Sequence, residues 1–316
     1  MQFPPIYILN LDRDTKRWET ITRQLQPFGV SYTRVAGIYG KDLTLEQVDA
    51  VTTPLCGKTC TLSTVGCAAS HRKAWQQILD DGHDYALILE DDARPLPGLL
   101  EKFQEYSLQF PQEWDVLYLG CNGACTMEPY TFIEGLMYVG ATMMGQTKPY
   151  QKLDTNLFVP SFSVGSHAYM VSKRFCEFMV HQPIGNHVDL EIFMQKQFPT
   201  YAVSPKLFCT NSDLGSNIAE YHFPHGLSYL ASFVKSRNEY DLAWALSEPQ
   251  FRLGDIPFNG MLYLFFIAGI VFRWCHLNTV WFWAWILVES SIALAWNLSF
   301  GGLGITLFAF YLGYIV

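Results

Sequence analysis

The 316-residue chain reads as an α/β protein, an open sheet covered by helices, followed by a C-terminal all-α membrane segment. Three observations carry that reading. The β-rich run "IYILNL" gives way to a stretch with apolar Trp18, Ile21 and Leu25 at helical spacing. "VSYTRVAG" follows, completing the strand, helix, strand order of a parallel unit. "YALILE", 85–90, is an almost unbroken apolar run, as expected of a strand covered on both faces. Finally, from Ile256 to Val316 the only formally charged side chains are Arg273 and Glu289.

Taken in order, the first helix should stop at Pro27 and Gly29. A loop-rich stretch, 38–62, precedes a helix capped by Ser63 or Thr64, helical from Ala69 to Leu79 and closed by Gly82. "WDVLYLG" predicts a strand, and 121–160, rich in Gly, Pro, Tyr and Met, predicts loops and short strands around a substrate cleft. "SHAYMVSKRFCEFMV" reads as strand then helix, and "HVDLEIFMQKQFP" contains a further helix. Residues 200–255 show no clear period. The composition shift then predicts a boundary, with one domain over 1–255 and a membrane module of two or three helices over 256–316. Its second and third apolar stretches, 279–296 and 298–316, approach the roughly 20 residues that cross a bilayer. Trp274, Trp281, Trp283, Trp285 and Trp296 cluster towards segment ends like interfacial belts. Glu289 is the oddity, since a mid-membrane charge costs about 2.5–3.5 kcal/mol. A helical oligomerisation module is the competing reading of this tail.

The net charge of −8 offers no basic face for nucleic acid. Residues 1–41 run against that total, with six bases, Arg13, Lys16, Arg17, Arg23, Arg34 and Lys41, against Asp12, Asp14 and Glu19. The opening "MQFPPIYILNL" lacks the basic start and long apolar run of a cleaved leader, so the large domain is expected to face the cytosol. Eight cysteines include two C-x3-C pairs, Cys56/Cys60 and Cys121/Cys125. Zinc sites usually use other spacings with nearby His, so reduced, buried thiols are expected.

The chemistry concentrates in "ALILEDDARPL". Glu90, Asp91 and Asp92 are three like charges at the carboxyl end of a central strand, the edge where open α/β sheets bind ligands. Such a set is tolerable beside a hard dication. Mg²⁺ or Mn²⁺ takes one or two carboxylates and fills its shell with phosphate oxygens and water, and so neutralises a diphosphate leaving group.

"IYILNLDRDTKRWE" (6–19), "YTRVAGIYGKDL" (32–43) and "STVGCAASHRKAWQQILDDGHDYALILEDDA" (63–93) together resemble successive motifs of glycosyltransferase family 25. This is the family of bacterial lipooligosaccharide galactosyltransferases and procollagen galactosyltransferases. "GSHAYMVSKR", "GNHVDLEI" and "SNI" (216–218) resemble its later motifs, while the tail after about residue 255 lies outside the pattern. The resemblance implies a GT-A type nucleotide-sugar-binding sheet with a DxD-like metal site for Mn²⁺ or Mg²⁺. It also implies a UDP-sugar donor and inverting transfer of a hexose, galactose or glucose, to a glycan, glycolipid or glycoprotein acceptor. Carried over by position, Asp92 and Glu90 are the metal ligands, with Glu90 or Asp91 towards the ribose or a metal-bound water. Asn10, Asp12, Arg13, Arg17, Ser70 and His71 fall in the donor site. Inversion needs a general base, for which Asp189 is the first candidate and Glu191 the second. His222 and His225 are candidates to complete the metal shell. A catalytically inactive, sugar-nucleotide-binding membrane adaptor and a nucleotidyltransferase are the competing readings. The latter is disfavoured because "YILNLDRDTKR" has no glycine for a phosphate loop.

Overall fold

A computed structural model describes residues 2–124, 132–143, 145–211, 224–234, 242–247, 249–253 and 256–316. They fall into two compact units, one built on Met1–Gly215, the other on Ser216–Ser236 with Tyr240–Val316.

The first unit starts as the periodicity predicts: β1 (Ile6–Asn10), α1 (Thr15–Leu25) and β2 (Tyr32–Ala36). α2 (Leu45–Val51), α3 (Pro54–Thr59), the long α4 (Leu62–Asp80) and β3 (Tyr85–Glu90) follow. Thr61, ahead of the expected Ser63 or Thr64, caps α4 by accepting from the Thr64 amide. Beyond β3 come β4 (Ala93–Pro95), α5 (Leu99–Ser107), β5 (Val116–Ala124), α6 (Phe132–Met143), β6 (Gln151–Lys152), β7 (Leu157–Val159) and β8 (Phe162–Ser172). The unit closes with α7 (Lys173–Met179), α8 (Val188–Phe193), β9 (Thr200–Val203) and β10 (Phe208–Thr210).

Eight strands form one sheet in the order β2-β1-β3-β8-β5-β9-β7-β6. β1 pairs in parallel with β2 and β3, and β5 with β9, but β8 runs antiparallel to both β3 and β5. The sheet is therefore mixed. The side chains of β3 alternate between two cores. Ala86 and Ile88 pack with Trp75 of α4 and Phe175 of α7, whereas Leu87 and Leu89 pack with Ile21 and Leu25 of α1 and Phe103 of α5. Both faces are thus covered, which explains the continuous apolar run. Cys56 and Cys60 are joined in a disulfide and Cys121 is disulfide-bonded as well, so the expected reduced state is corrected at these positions. The four-residue separation of Cys56 and Cys60 spans one turn at α3, which holds the two Cα atoms 4.7 Å apart, within disulfide reach.

The second unit contains α9 (His225–Ala231), α10 (Leu242–Ser247), the hairpin β11 (Pro249–Leu253) and β12 (Ile256–Asn259), and then α11 (Gly260–Trp274), α12 (Val280–Ala295) and α13 (Leu303–Ile315). The expectation of a membrane segment is overturned here. The three apolar helices have 15, 16 and 13 residues, and among the described residues no helix is long and apolar enough to cross a membrane. At 1.5 Å per residue the longest covers about 24 Å, short of the ~30 Å hydrocarbon core. Composition alone concealed the breaks. His276 and Asn297 take left-handed φ values of 51° and 53°, ending α11 and α12 inside apolar sequence, and Gly302, with φ of 98°, stands at the start of α13. The expected multi-pass membrane localisation, with a domain facing the cytosol, falls with the spans. These helices bury their apolar faces on one another through Phe265, Phe282, Ile286 and Phe310. α11 and α13 approach so closely that a Cβ on Gly269 would collide with the Phe310 carbonyl, and one on Gly313 with that of Phe266. Glu289 is resolved too: it is buried and accepts from the Gly226 and Leu227 amides, at 2.7 and 2.9 Å, in the first turn of α9.

Candidate functional site

The parallel register brings the carboxyl ends of β1, β2 and β3 side by side, with Leu9 opposite Glu90 and Asn10 opposite Ala36. The acidic triplet leaves β3 into a turn that is pinned from behind. Ala93 pairs with Thr210, and the Asn211 amide donates to the Asp92 carbonyl at 2.7 Å.

At that edge the three carboxylates separate into two networks. Asp91 and Asp92 face α1, where Arg17 donates to Asp91 Oδ1 at 2.6 Å and to Asp92 Oδ2 at 2.9 Å. Asn10 Nδ2 donates to Asp91 Oδ2 at 2.8 Å, while its Oδ1 accepts from Arg34 at 2.8 and 3.0 Å. Burial, reinforced by the neighbouring Glu90 and Asp91, raises the Asp92 carboxyl above the usual range against the pull of Arg17. Burial likewise raises Asp91. Burial opposes the charge on Arg17, but Asp92 and Asp91 hold the guanidinium protonated. Asp92 Oδ1 is buried and, among the described residues, accepts no hydrogen bond. A buried carboxylate oxygen left bare beside two other acidic groups is what a hard cation would satisfy, so these residues fit Mn²⁺ or Mg²⁺.

Glu90 belongs to the second network, on the α4 face. Its Oε1 accepts from the Ser166 hydroxyl at 2.6 Å and lies 3.4 Å from His71 Nε2. Burial works against ionisation, yet hydrogen bonding and charge from His71 hold Glu90 well below the ordinary carboxylate range. His71 is fully buried and its Nδ1 is paired with the Tyr169 hydroxyl at 2.8 Å. The residue before Ser166 on β8 carries a second contact: the Gly165 amide donates to Asp189 Oδ2 at 2.9 Å. Gly165 has φ of 102°, and an added Cβ would stand 2.9 Å from Asn122 Nδ2, so the bend needs glycine. Gly165 and Ser166 therefore hold Asp189 and Glu90 at one place on the sheet.

Asn10, Arg17, Asp91 and Asp92 thus share one cluster, His71 and Glu90 an adjoining one, and Asp189 is tied in through β8. The remaining expected residues lie differently. Asp12 is largely exposed and paired with Arg34 at 2.8 Å. The Arg13 guanidinium stacks 3.8 Å from the Tyr39 ring centroid. Ser70 donates to the Gly66 carbonyl at 2.7 Å and accepts from the Ile38 amide at 2.8 Å, a tie between α4 and the loop before it. Glu191 closes its own loop, accepting from the Gly185 amide and, at 3.1 Å, from that of Asn186. Burial raises its carboxyl. Both candidate bases sit on helix α8. His225 pairs with the Ser299 carbonyl at 2.7 Å in the second unit, and His222 and residues 216–218 lie outside the described residues. Sequence reasoning passed over Ser166, His167 and Tyr169, and placed Arg34 only within the basic cluster of residues 1–41. The repeat of "SH" at 70–71 and 166–167 was the available signal, since His71, Ser166 and His167 all act on Glu90.

The family model for glycosyltransferase family 25 (LPS biosynthesis protein) matches residues 3–189. Procollagen galactosyltransferase 1-B of Xenopus laevis is 22% identical over 220 residues, covering 65% of this chain and 32% of that protein. Procollagen galactosyltransferase 1 of Danio rerio is 29% identical over 135 residues, 38% of this chain and 22% of the relative. Inactive glycosyltransferase 25 family member 3 of Homo sapiens is 28% identical over 145 residues, with coverage of 42% and 24%. The chain spans about a third or less of the length of these curated relatives. Among solved structures, the crystal structure of A197 from STIV overlaps with a TM-score of 0.36 at 12% identity. It covers 66% of this chain and 84% of that one, and is too loose a likeness to argue from.

Proposed function

The chain belongs to glycosyltransferase family 25, and on that premise we propose that it transfers a hexose from a UDP-sugar to a hydroxyl acceptor on a glycan or glycoprotein, with inversion. Galactose is the favoured sugar, because the procollagen relatives are galactosyltransferases by name. One observation carries the reading: a buried carboxylate oxygen, Asp92 Oδ1, has no hydrogen-bond donor among the described residues at the strand edge where Asp91 and Arg17 meet. Asp92 would hold Mn²⁺ or Mg²⁺ with Asp91 beside it. Such an ion, when bound, supplies positive charge against the diphosphate leaving group.

The chain's own groups account for the rest. Arg17 carries a permanent charge and can grip a phosphate bidentately when it releases one carboxylate. Arg34 and Asn10 form the floor where the nucleotide would enter. Asp189 takes the proton from the acceptor hydroxyl as its oxygen bonds to the anomeric carbon and the bond to the diphosphate oxygen breaks. Glu191 is the weaker candidate, since its Oε1 takes both the Gly185 and Asn186 amides and ties the side chain to its own loop.

Donor hydrolysis tests this reading: the protein is incubated with a panel of UDP-sugars, with and without Mn²⁺. Metal-dependent release of UDP from one sugar, abolished in Asp92→Ala with the circular dichroism unchanged, is the expected result. Full activity in that variant refutes the metal assignment. A second reading, a protein that binds the donor without turnover, is favoured by the inactive human relative and by Arg17 engaging both aspartates. Donor affinity without UDP release in the wild type would select it.

A further inference from the structure

We propose that Cys67, His71 and Glu90 form a binding site for a thiophilic divalent cation of the zinc class, separate from the Asp91–Asp92 pair. The proposal stands whether or not the donor-site reading holds.

Cys67 and His71 are four residues apart on α4 and so share one face of the helix. Their ligand atoms and a Glu90 oxygen, delivered from the end of β3, all lie within 4.8 Å of one another. A tetrahedral zinc ion holds its ligand atoms ~3.5 Å apart, from bond lengths near 2.0–2.3 Å, so small rotamer shifts close the set. The imidazole is already aimed. Trp75 Nε1 donates to the Tyr169 hydroxyl at 3.1 Å, and that hydroxyl holds His71 Nδ1 at 2.8 Å. Nε2 is thereby turned towards Glu90, 3.4 Å away, in a fully buried position. A partner that fixes one ring nitrogen and presents the other is the usual outer support of a histidine ligand. Ser166 does the same for Glu90, donating at 2.6 Å.

The donor set decides which ion enters. One sulfur, one imidazole nitrogen and one carboxylate oxygen suit zinc and its neighbours, whereas Mg²⁺ and Mn²⁺ prefer all-oxygen shells. A thiolate and a carboxylate also balance the two charges of the ion, and a water completes four-coordination. Binding needs the Cys67 sulfur as thiolate and the imidazole proton of His71 on Nδ1, where the Tyr169 hydroxyl lies at 2.8 Å.

Cobalt(II) is the optical probe. Metal-stripped full-length protein, titrated with Co²⁺ alone, should develop intense visible bands and a near-ultraviolet thiolate-to-cobalt band that saturate at one equivalent. Stoichiometric Zn²⁺ should abolish them and excess Mn²⁺ should not. Cys67→Ser should lose the thiolate band and bind zinc roughly tenfold or more weakly, whereas Asp92→Asn should retain the band. Zinc should also protect Cys67 of the wild type from alkylation, read by peptide mass spectrometry, which decides the matter even if the serine variant misfolds. No thiolate band in the wild type, a band that survives Cys67→Ser, or alkylation of Cys67 unaffected by zinc would each overturn the site. Loss of Mn²⁺-dependent donor hydrolysis in Asp92→Asn alongside an intact cobalt spectrum separates the fate of the two metal assignments.

Discussion

At the scale of single residues, Arg17 has the most to lose. It neutralises two partly buried aspartates at once, and its side chain is only 12% exposed. Breaking such a pair from one side typically costs about 3–5 kcal/mol, because the remaining charges stay buried without compensation. Arg17→Met should therefore lower the melting temperature markedly, and Mn²⁺ should restore more stability to this variant than to the wild type. Equal metal-induced shifts in the two proteins would separate Arg17 from the cation site. His167 offers a pH test in the same strand as Ser166. Burial drives its imidazole down to about 4. As pH falls from about 6.5 towards 4, the unfolded chain takes up a proton that the native state refuses, so stability must fall across that window, by up to about 3 kcal/mol. His167→Asn should flatten this part of the stability–pH curve. An unchanged acid slope would mean that other groups carry it.

At the scale of elements, the close crossing of α11 and α13 rests on Gly269 and Gly313. Gly313→Val forces a side chain into a backbone carbonyl and should cost about 3 kcal/mol or more by overpacking. Calorimetry or limited proteolysis of the C-terminal unit reads the effect, and a variant as stable as the wild type would contradict the crossing. This level also shows what the sequence revealed. β1, α1, β2, α4 and β3 were legible because period 3.6 and period 2 patterns and the Pro27–Gly29 stop are local signals. The antiparallel insertion of β8 between β3 and β5 was not, because strand order is decided by long-range pairing rather than by a window of residues. The C-terminal stretches misled for a related reason. Hydropathy cannot see a left-handed His276 or Asn297, and those turns convert near-span-length apolar runs into short helices. At the site, the acidic triplet announced itself, but its division between Arg17 and His71 depends on which way each side chain leaves a turn.

At the scale of the whole molecule, the candidate machinery is assembled from segments around residues 10–17, 34, 67–71, 90–92, 165–169 and 189, gathered at the sheet edge by strand pairing and by their own side-chain contacts. Groups gathered from so far apart should fail separately. Asp189→Asn should slow sugar transfer by roughly a hundredfold or more, the usual size of a lost general base, with donor affinity measured by calorimetry little changed. A collapse of donor affinity instead would move Asp189 into the nucleotide pocket.

The two neighbouring grips on β8 have an evolutionary corollary. Sliding that strand by a single residue would exchange inward and outward side chains along its length, and would carry Asp189 and Glu90 off their holds together. Insertions and deletions in descendants of this chain should therefore accumulate in the connecting segments on either side of 162–172, while the spacing inside that window stays invariant.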